Sequence, residues 1–136
     1  MSETILFMCP HGAAKSVMAK TYFQKLADLK GLAMGSSAAG PFPEEVTYPV
    51  IVDLLAKDGL DASDHKPRKV TATDILQAYK VVSIGCDLND LPQTDKVIES
   101  WDVPMVSEDP EGSWQQIKQR VEKLVADLEI QYSDGC

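Results

Sequence analysis

Little in these 136 residues points to a membrane, to nucleic acid or to a disulfide scaffold. The three cysteines, Cys9, Cys86 and Cys136, are too few and too scattered to staple a small secreted domain. No Cys-x-x-Cys and no close pair of histidines occurs, so the usual spacings of metal ligands are missing and no metal or cofactor is expected. No apolar run approaches the length of a membrane span, and the opening residues lack the basic-then-apolar layout of an export signal. The expectation is a cytoplasmic protein. Basic residues are outnumbered, 13 Lys and Arg against 21 Asp and Glu, for a net charge of −8. That balance argues against a general binder of nucleic acid or of anionic lipid. Repeats, linkers and low-complexity segments are also absent. What remains is one domain, with 44% apolar residues for a single core.

The informative stretch is Thr4 to Ala19. The apolar run Ile5-Leu6-Phe7-Met8 reads as a buried strand. A short loop, Cys9-Pro10-His11-Gly12-Ala13-Ala14, then opens a helical pattern at Lys15-Ser16. The first amides of a helix have no partner inside it, and the helix dipole adds partial positive charge there. A strand that feeds such a start through a tight loop is an anion site.

The remaining pattern alternates helices and strands. Val17, Met18, Tyr22, Phe23, Leu26 and Leu29 recur at helical spacing, and Gly31 stops the run. Leu32 to Ala38 reads as a second strand, ended by Gly40-Pro41-Phe42-Pro43. Thr47 reads as the cap of a helix with Pro49 in its first turn and Val50, Ile51, Leu54 and Leu55 buried. Residues 61–67 read as a polar loop, with His65, Lys66, Arg68 and Lys69 on a solvated face. A short helix over 71–78 buries Ile75 and Leu76, and Lys80 to Cys86 is a β-branched strand. Residues 96–101 form a fourth strand, and 104–112 are irregular. Ser113 and Gln116 make a capping box for a last helix lined by Trp114, Ile117, Val121, Leu124, Val125 and Leu128. The pattern predicts an α/β sandwich with a short parallel sheet, its active loop at the carboxyl end of the first strand. A domain over 1–130 and a flexible tail over 131–136 complete the expectation.

Within the loop, Cys9 leads and Lys15 closes. A thiol beside a helix start and an ammonium is shifted towards the thiolate, which is the nucleophile. The residues between them can curl and aim their amides at a tetrahedral anion, with Gly12 taking the positive φ that such a curl needs. Ser16 stands where its hydroxyl can donate to the thiolate. The alternative is a buried structural cysteine before an ordinary turn. A Walker-type loop fits poorly, because Cys9 and Ala14 occupy both glycine positions.

These residues resemble the low-molecular-weight protein tyrosine phosphatases and the related thiol-dependent arsenate reductases. Cys9, Gly12, Lys15, Ser16, Met18 and Ala19 fall on the family pattern C-x-x-N-x-x-R-S-x-M-A. Asp109-Pro110 matches its late Asp-Pro pair, Ser37-Ala38-Ala39-Gly40 its S-A-G segment, and Asp58-Gly59-Leu60-Asp61 its E-x-G-I-D. The resemblance implies a three-layer, flavodoxin-like sandwich with a four-stranded parallel sheet. It implies that Cys9 attacks phosphorus or arsenic and that Asp109, its pKa raised, protonates the leaving oxygen. The partners implied are a phosphate, arsenate or sulfate ion or a phosphorylated substrate, with a thiol reductant for the redox members.

Two departures bear on activity. Gly12 replaces the motif asparagine, and Lys15 replaces the arginine. A guanidinium grips two oxygens in a planar fork, whereas an ammonium is a compact charge. The loss of one charge-assisted bond in the transition state costs roughly 1.5–3 kcal/mol. A catalytically weak or inactive phosphate-binding regulator of the same fold is therefore the alternative reading. Between phosphatase and reductase, Glu111-Gly112 stands where the phosphatases place ring-holding aromatics, and Glu44, Glu45 and Glu108 make the rim acidic. Phe42 and Tyr48 are candidates for one wall. Cys86 matches the first resolving cysteine of the thioredoxin-linked reductases, while Gln93 stands where the second would be. His11, inside the loop, is a candidate source of positive charge.

Overall fold

The computed structural model describes residues 3–103 and 108–134, without the side chains of 131–134. Cys136 and residues 104–107 lie outside the described residues. In chain order the elements are β1 (Glu3–Met8), α1 (Lys15–Leu29), β2 (Met34–Ala39), α2 (Pro49–Lys57), α3 (Ala72–Gln77), β3 (Lys80–Ile84), β4 (Ile98–Trp101) and α4 (Pro110–Asp134). All three strand pairings are parallel, in the order β2-β1-β3-β4. The chain leaves β1 to one side for β2 and returns on the other side as β3. This reversal puts the carboxyl ends of β1 and β3 beside a crevice, where ligands of open α/β sheets bind.

Alternation along β1 builds both faces of the sheet. Ile5 and Phe7 enter the larger core with α1, α2 and α4, while Leu6 and Met8 enter a smaller one with Ile75 of α3. Phe7 sits between Phe23 of α1 and Trp101 of β4, each ring centre 5.8 Å away. The central strand is thus apolar on both faces, as a covered parallel strand must be. Among the described residues, no helix is long and apolar enough to cross a membrane.

Several local expectations are corrected. Thr47 does not cap α2; its hydroxyl donates to the His65 carbonyl at 3.2 Å, and Tyr48 holds the cap position. Leu29, Val50 and Leu76 share the apolar spacing of their helices but are exposed, because no neighbouring layer covers that edge of each helix. The short helix α3 is closed by a capping box between Thr71 and Asp74. Helix α4 starts at Pro110, so Ser113 and Gln116 lie inside it and form no capping box. Asp109 does the capping, its carboxylate accepting from the Gly112 amide at 3.0 Å. Proline suits the first helical position because its missing N–H would have no partner there. At the other end the helical backbone continues to Asp134, past the last apolar position of the pattern and into the segment expected to be a tail.

Candidate active site

Cys9 follows the last residue of β1 and is buried, 2% exposed. Its Sγ lies 3.0 Å from the Ser16 hydroxyl, itself fully buried in the first turn of α1. The hydroxyl is placed to donate to a thiolate.

Around the sulfur, the loop turns its carbonyls away from the cup. The Cys9 carbonyl accepts from the Gly12 amide and the Ala14 carbonyl from Met18. Pro10, His11 and Ala13 carbonyls accept from the amides of Phe42, Glu44 and Tyr48 at 3.0, 3.1 and 3.2 Å. The Gly12 carbonyl lies 3.2 Å from His65 Nε2. Across a trans peptide the next N–H points opposite to the carbonyl. Held this way, the carbonyls of Pro10, Gly12, Ala13 and Ala14 turn the amides of His11, Ala13, Ala14 and Lys15 to the other side of the loop, while Pro10 has no N–H and that of Gly12 is spent on the Cys9 carbonyl. Accordingly, the amides of His11, Ala13, Ala14, Lys15, Ser16 and Val17 donate to no backbone carbonyl among the described residues. Ala13, Ser16 and Val17 among them are buried residues, and buried donors left unpaired are costly, so the cluster suits an acceptor from outside.

Two glycines allow the curl. Gly12 has φ +60, a conformation that side chains other than Asn and Asp adopt reluctantly. Gly40 permits contact, since a Cβ there would stand 2.2 Å from the Cys9 carbonyl oxygen and 2.7 Å from the Gly12 nitrogen.

The charged and polar neighbours fall into two groups. Lys15 and Cys86 approach from the β3 side. A Cβ on Gly85 would be 2.8 Å from Lys15 Nζ, so the ammonium rests on the residue just beyond β3. Burial pushes the neighbouring Cys86 thiol up to about 11, with the Cys9 thiol adding to the rise and Lys15 and the Ser83 hydroxyl opposing it. Cys9 and Lys15 thus both act on the Cys86 thiol. On the opposite rim, His11 turns outward: its Nδ1 donates to the Phe42 carbonyl at 2.8 Å and lies 3.7 Å from Glu44. Tyr48 completes that rim, with its hydroxyl raised above the ordinary range by burial and by Glu44. Phe42 is exposed.

Asp109 is placed differently. Besides capping α4, it lines a cavity of about 410 Å³ with Val50, Asp53, Leu54 and Lys57 of α2. A larger cavity of about 560 Å³ lies between α4 and the β3–β4 part of the sheet, lined by Lys80, Glu99, Trp101 and Arg120, apart from the loop.

His65 departs from the solvated face that its sequence context suggests. It is half-buried, with Lys20 Nζ 3.4 Å from its Nδ1 and the loop carbonyl on its other nitrogen. No local signal marks it, because its loop partner is 53 residues earlier in the chain.

A strand, an amide-lined loop with a sulfur at its floor and a helix start recur in one known group. Residues 4–132 match the profile of the low molecular weight phosphotyrosine protein phosphatases. The chain belongs to that family. A protein of Halobacterium salinarum, provisionally named an arsenate reductase, is 22% identical over 128 residues, covering 90% of this chain and 87% of that one. YfkJ of Bacillus subtilis has a similar fold, with a TM-score of 0.86, 21% identity, and coverage of 96% of this chain and 97% of that one. The thioredoxin-dependent arsenate reductase of Corynebacterium glutamicum superposes with a TM-score of 0.79 at 22% identity over 96% of this chain. This chain spans 63% of that protein's length. The family's fold, a parallel four-stranded sheet with helices, is the fold described above.

Proposed function

We propose that this protein is a cysteine-dependent enzyme whose Cys9 attacks the central atom of a small tetrahedral oxyanion. The observation that carries the reading is the loop's hydrogen bonding: its carbonyls are all engaged, and six amides next to a buried cysteine donate to no backbone carbonyl among the described residues. Ser16 donates to the thiolate and stabilises it again as leaving group when the adduct breaks down. The amides and the Lys15 ammonium balance the oxygen charge that grows in the transition state.

The position of Cys86 supports arsenate reduction. The Cys9 thiolate forms an S–As bond as one hydroxyl of arsenate takes a proton from solvent and leaves as water. The Cys86 thiolate then attacks Cys9 Sγ, the S–As bond breaks, and its electron pair stays on arsenic. Arsenic passes from the pentavalent to the trivalent state, arsenite departs, and a Cys9–Cys86 disulfide remains for an external thiol reductant. Because Cys86 is held at about 11, the attack needs a proton removed first. Arsenate turnover should therefore climb with pH, roughly tenfold per unit from about pH 7 to about pH 10 where this step limits the rate. Cys86→Ser should abolish arsenate reduction, followed as arsenite release with a dithiol donor. Unchanged reduction would take Cys86 out of the mechanism.

Phosphate monoester hydrolysis by the same loop is the second reading, supported by Asp109-Pro110. There Asp109 serves as the acid once its carboxylate gives up the Gly112 amide. Lys15→Arg should raise kcat/KM for an aryl phosphate by about 10- to 100-fold, since the fork restores a second bond to the equatorial oxygens. No gain would mean that the shelf at Gly85 keeps the cation out of the cup.

A further inference from the structure

Of the loop carbonyls from Cys9 to Ala14, Gly12's alone is held by a side chain among the described residues; the others are held by backbone amides. This makes one inward amide, that of Ala13, dependent on a titratable ring. A carbonyl can only accept, so the imidazole must carry its proton on Nε2 to hold it. The other ring nitrogen, Nδ1, faces the Lys20 ammonium at 3.4 Å, which can only donate. The two contacts fit one state of the ring: neutral, protonated on Nε2, with Nδ1 as acceptor.

We propose that Lys20 is a positioning residue that holds His65 neutral and in the Nε2–H form, so that His65 fixes the Gly12 carbonyl outward and the Ala13 amide into the cup. This rests on the loop being an oxyanion site. The chain runs Lys20 Nζ–H to His65 Nδ1, then His65 Nε2–H to the Gly12 carbonyl, and across the peptide to the Ala13 amide. A second proton on the ring would set a charged N–H against an ammonium, at a cost that only displacement of Lys20 relieves.

Several groups around the ring act on it. Burial is the largest influence and holds His65 below its ordinary value, with Lys20 from α1 and Arg68 from its own loop pushing the same way. The Gly12 carbonyl and Asp64 pull it up but do not prevail. Thr47 anchors the residue by donating to its carbonyl.

The test combines imidazole nitrogen NMR of the full chain with calorimetric binding of sulfate, whose charge is constant across the range. In the wild type His65 should be neutral near pH 7 with its proton on Nε2. In Lys20→Met its titration should move up by about half a unit or more. His65→Phe should weaken sulfate binding about tenfold, and His65→Gln, which keeps an N–H donor, should restore most of it. A wild-type ring protonated on Nδ1, an unmoved titration in Lys20→Met, or undiminished sulfate binding in His65→Phe would each overturn the proposal. If the wild type binds no sulfate, the oxyanion reading itself fails, while the tautomer and the titration still decide whether Lys20 sets the ring.

Discussion

Cys9→Ser is expected to lose turnover of both aryl phosphate and arsenate by roughly 10⁴-fold or more. The exchange alters one buried atom, so the fold and the loop's main chain should stay in place. What goes is the thiol, because a serine hydroxyl in its place gives up its proton far less readily. Steady-state kinetics with each substrate measure the loss. Sulfate calorimetry on the same variant separates it from a binding defect, because affinity should change by less than about tenfold. Substantial residual turnover would move the nucleophile elsewhere in the chain.

The second large effect belongs to a residue with no side chain. Gly40→Ala puts a methyl group 2.2 Å from the Cys9 carbonyl oxygen, 2.7 Å from the Gly12 nitrogen and 2.9 Å from the Pro10 carbonyl oxygen. All three are backbone atoms, so no flexible side chain can yield. Nor can Gly40 retreat, because its amide donates to the Arg68 carbonyl at 3.1 Å and its carbonyl accepts from Val70 at 3.0 Å. The variant should lose about 3 kcal/mol of stability. Its Tm should fall by roughly 10 °C, and its sulfate affinity should drop with it. Gly35→Ala is the control. There the nearest atom to a new Cβ is Thr4 Oγ1 at 3.6 Å, an ordinary contact, and melting should barely change. Equal melting of Gly40→Ala and wild type would mean that the close approach of Gly40 to the loop does not constrain it.

Much of this molecule is legible in its sequence. Apolar runs with β-branched residues mark β1 and β3, and the spacing of Trp114, Ile117, Val121, Leu124 and Leu128 marks α4, where all five are buried. The loop is legible because the chemistry needs a thiol, a small-residue curl and a helix start in sequence. The features that local pattern misses depend on neighbours distant in the chain. Leu29, Val50 and Leu76 lie at the right period but beyond the reach of a covering layer. Pattern alone starts α4 too late, because Ser113-Gln116 imitates a box that Asp109 and Pro110 pre-empt one turn earlier. The Thr71 box is easily passed over because Asp74, a shorter acid than the usual Glu, closes it. The clamp on the loop is invisible for a further reason: amides of Phe42, Glu44 and Tyr48 hold it, and a backbone donor leaves no trace in residue identity.

A receptor assembled from peptide groups has limited discernment. In the proposed site six N–H dipoles and one ammonium would measure radius and charge, and phosphate, arsenate and sulfate differ little in either. Ions of this class would compete for the same seat, and abundant phosphate would occupy it most of the time. Sorting of the guests would then come after docking, by whether the central atom yields to sulfur. Arsenic can accept electrons through that bond and phosphorus cannot, so the second thiol would act as the discriminating element that the cradle lacks.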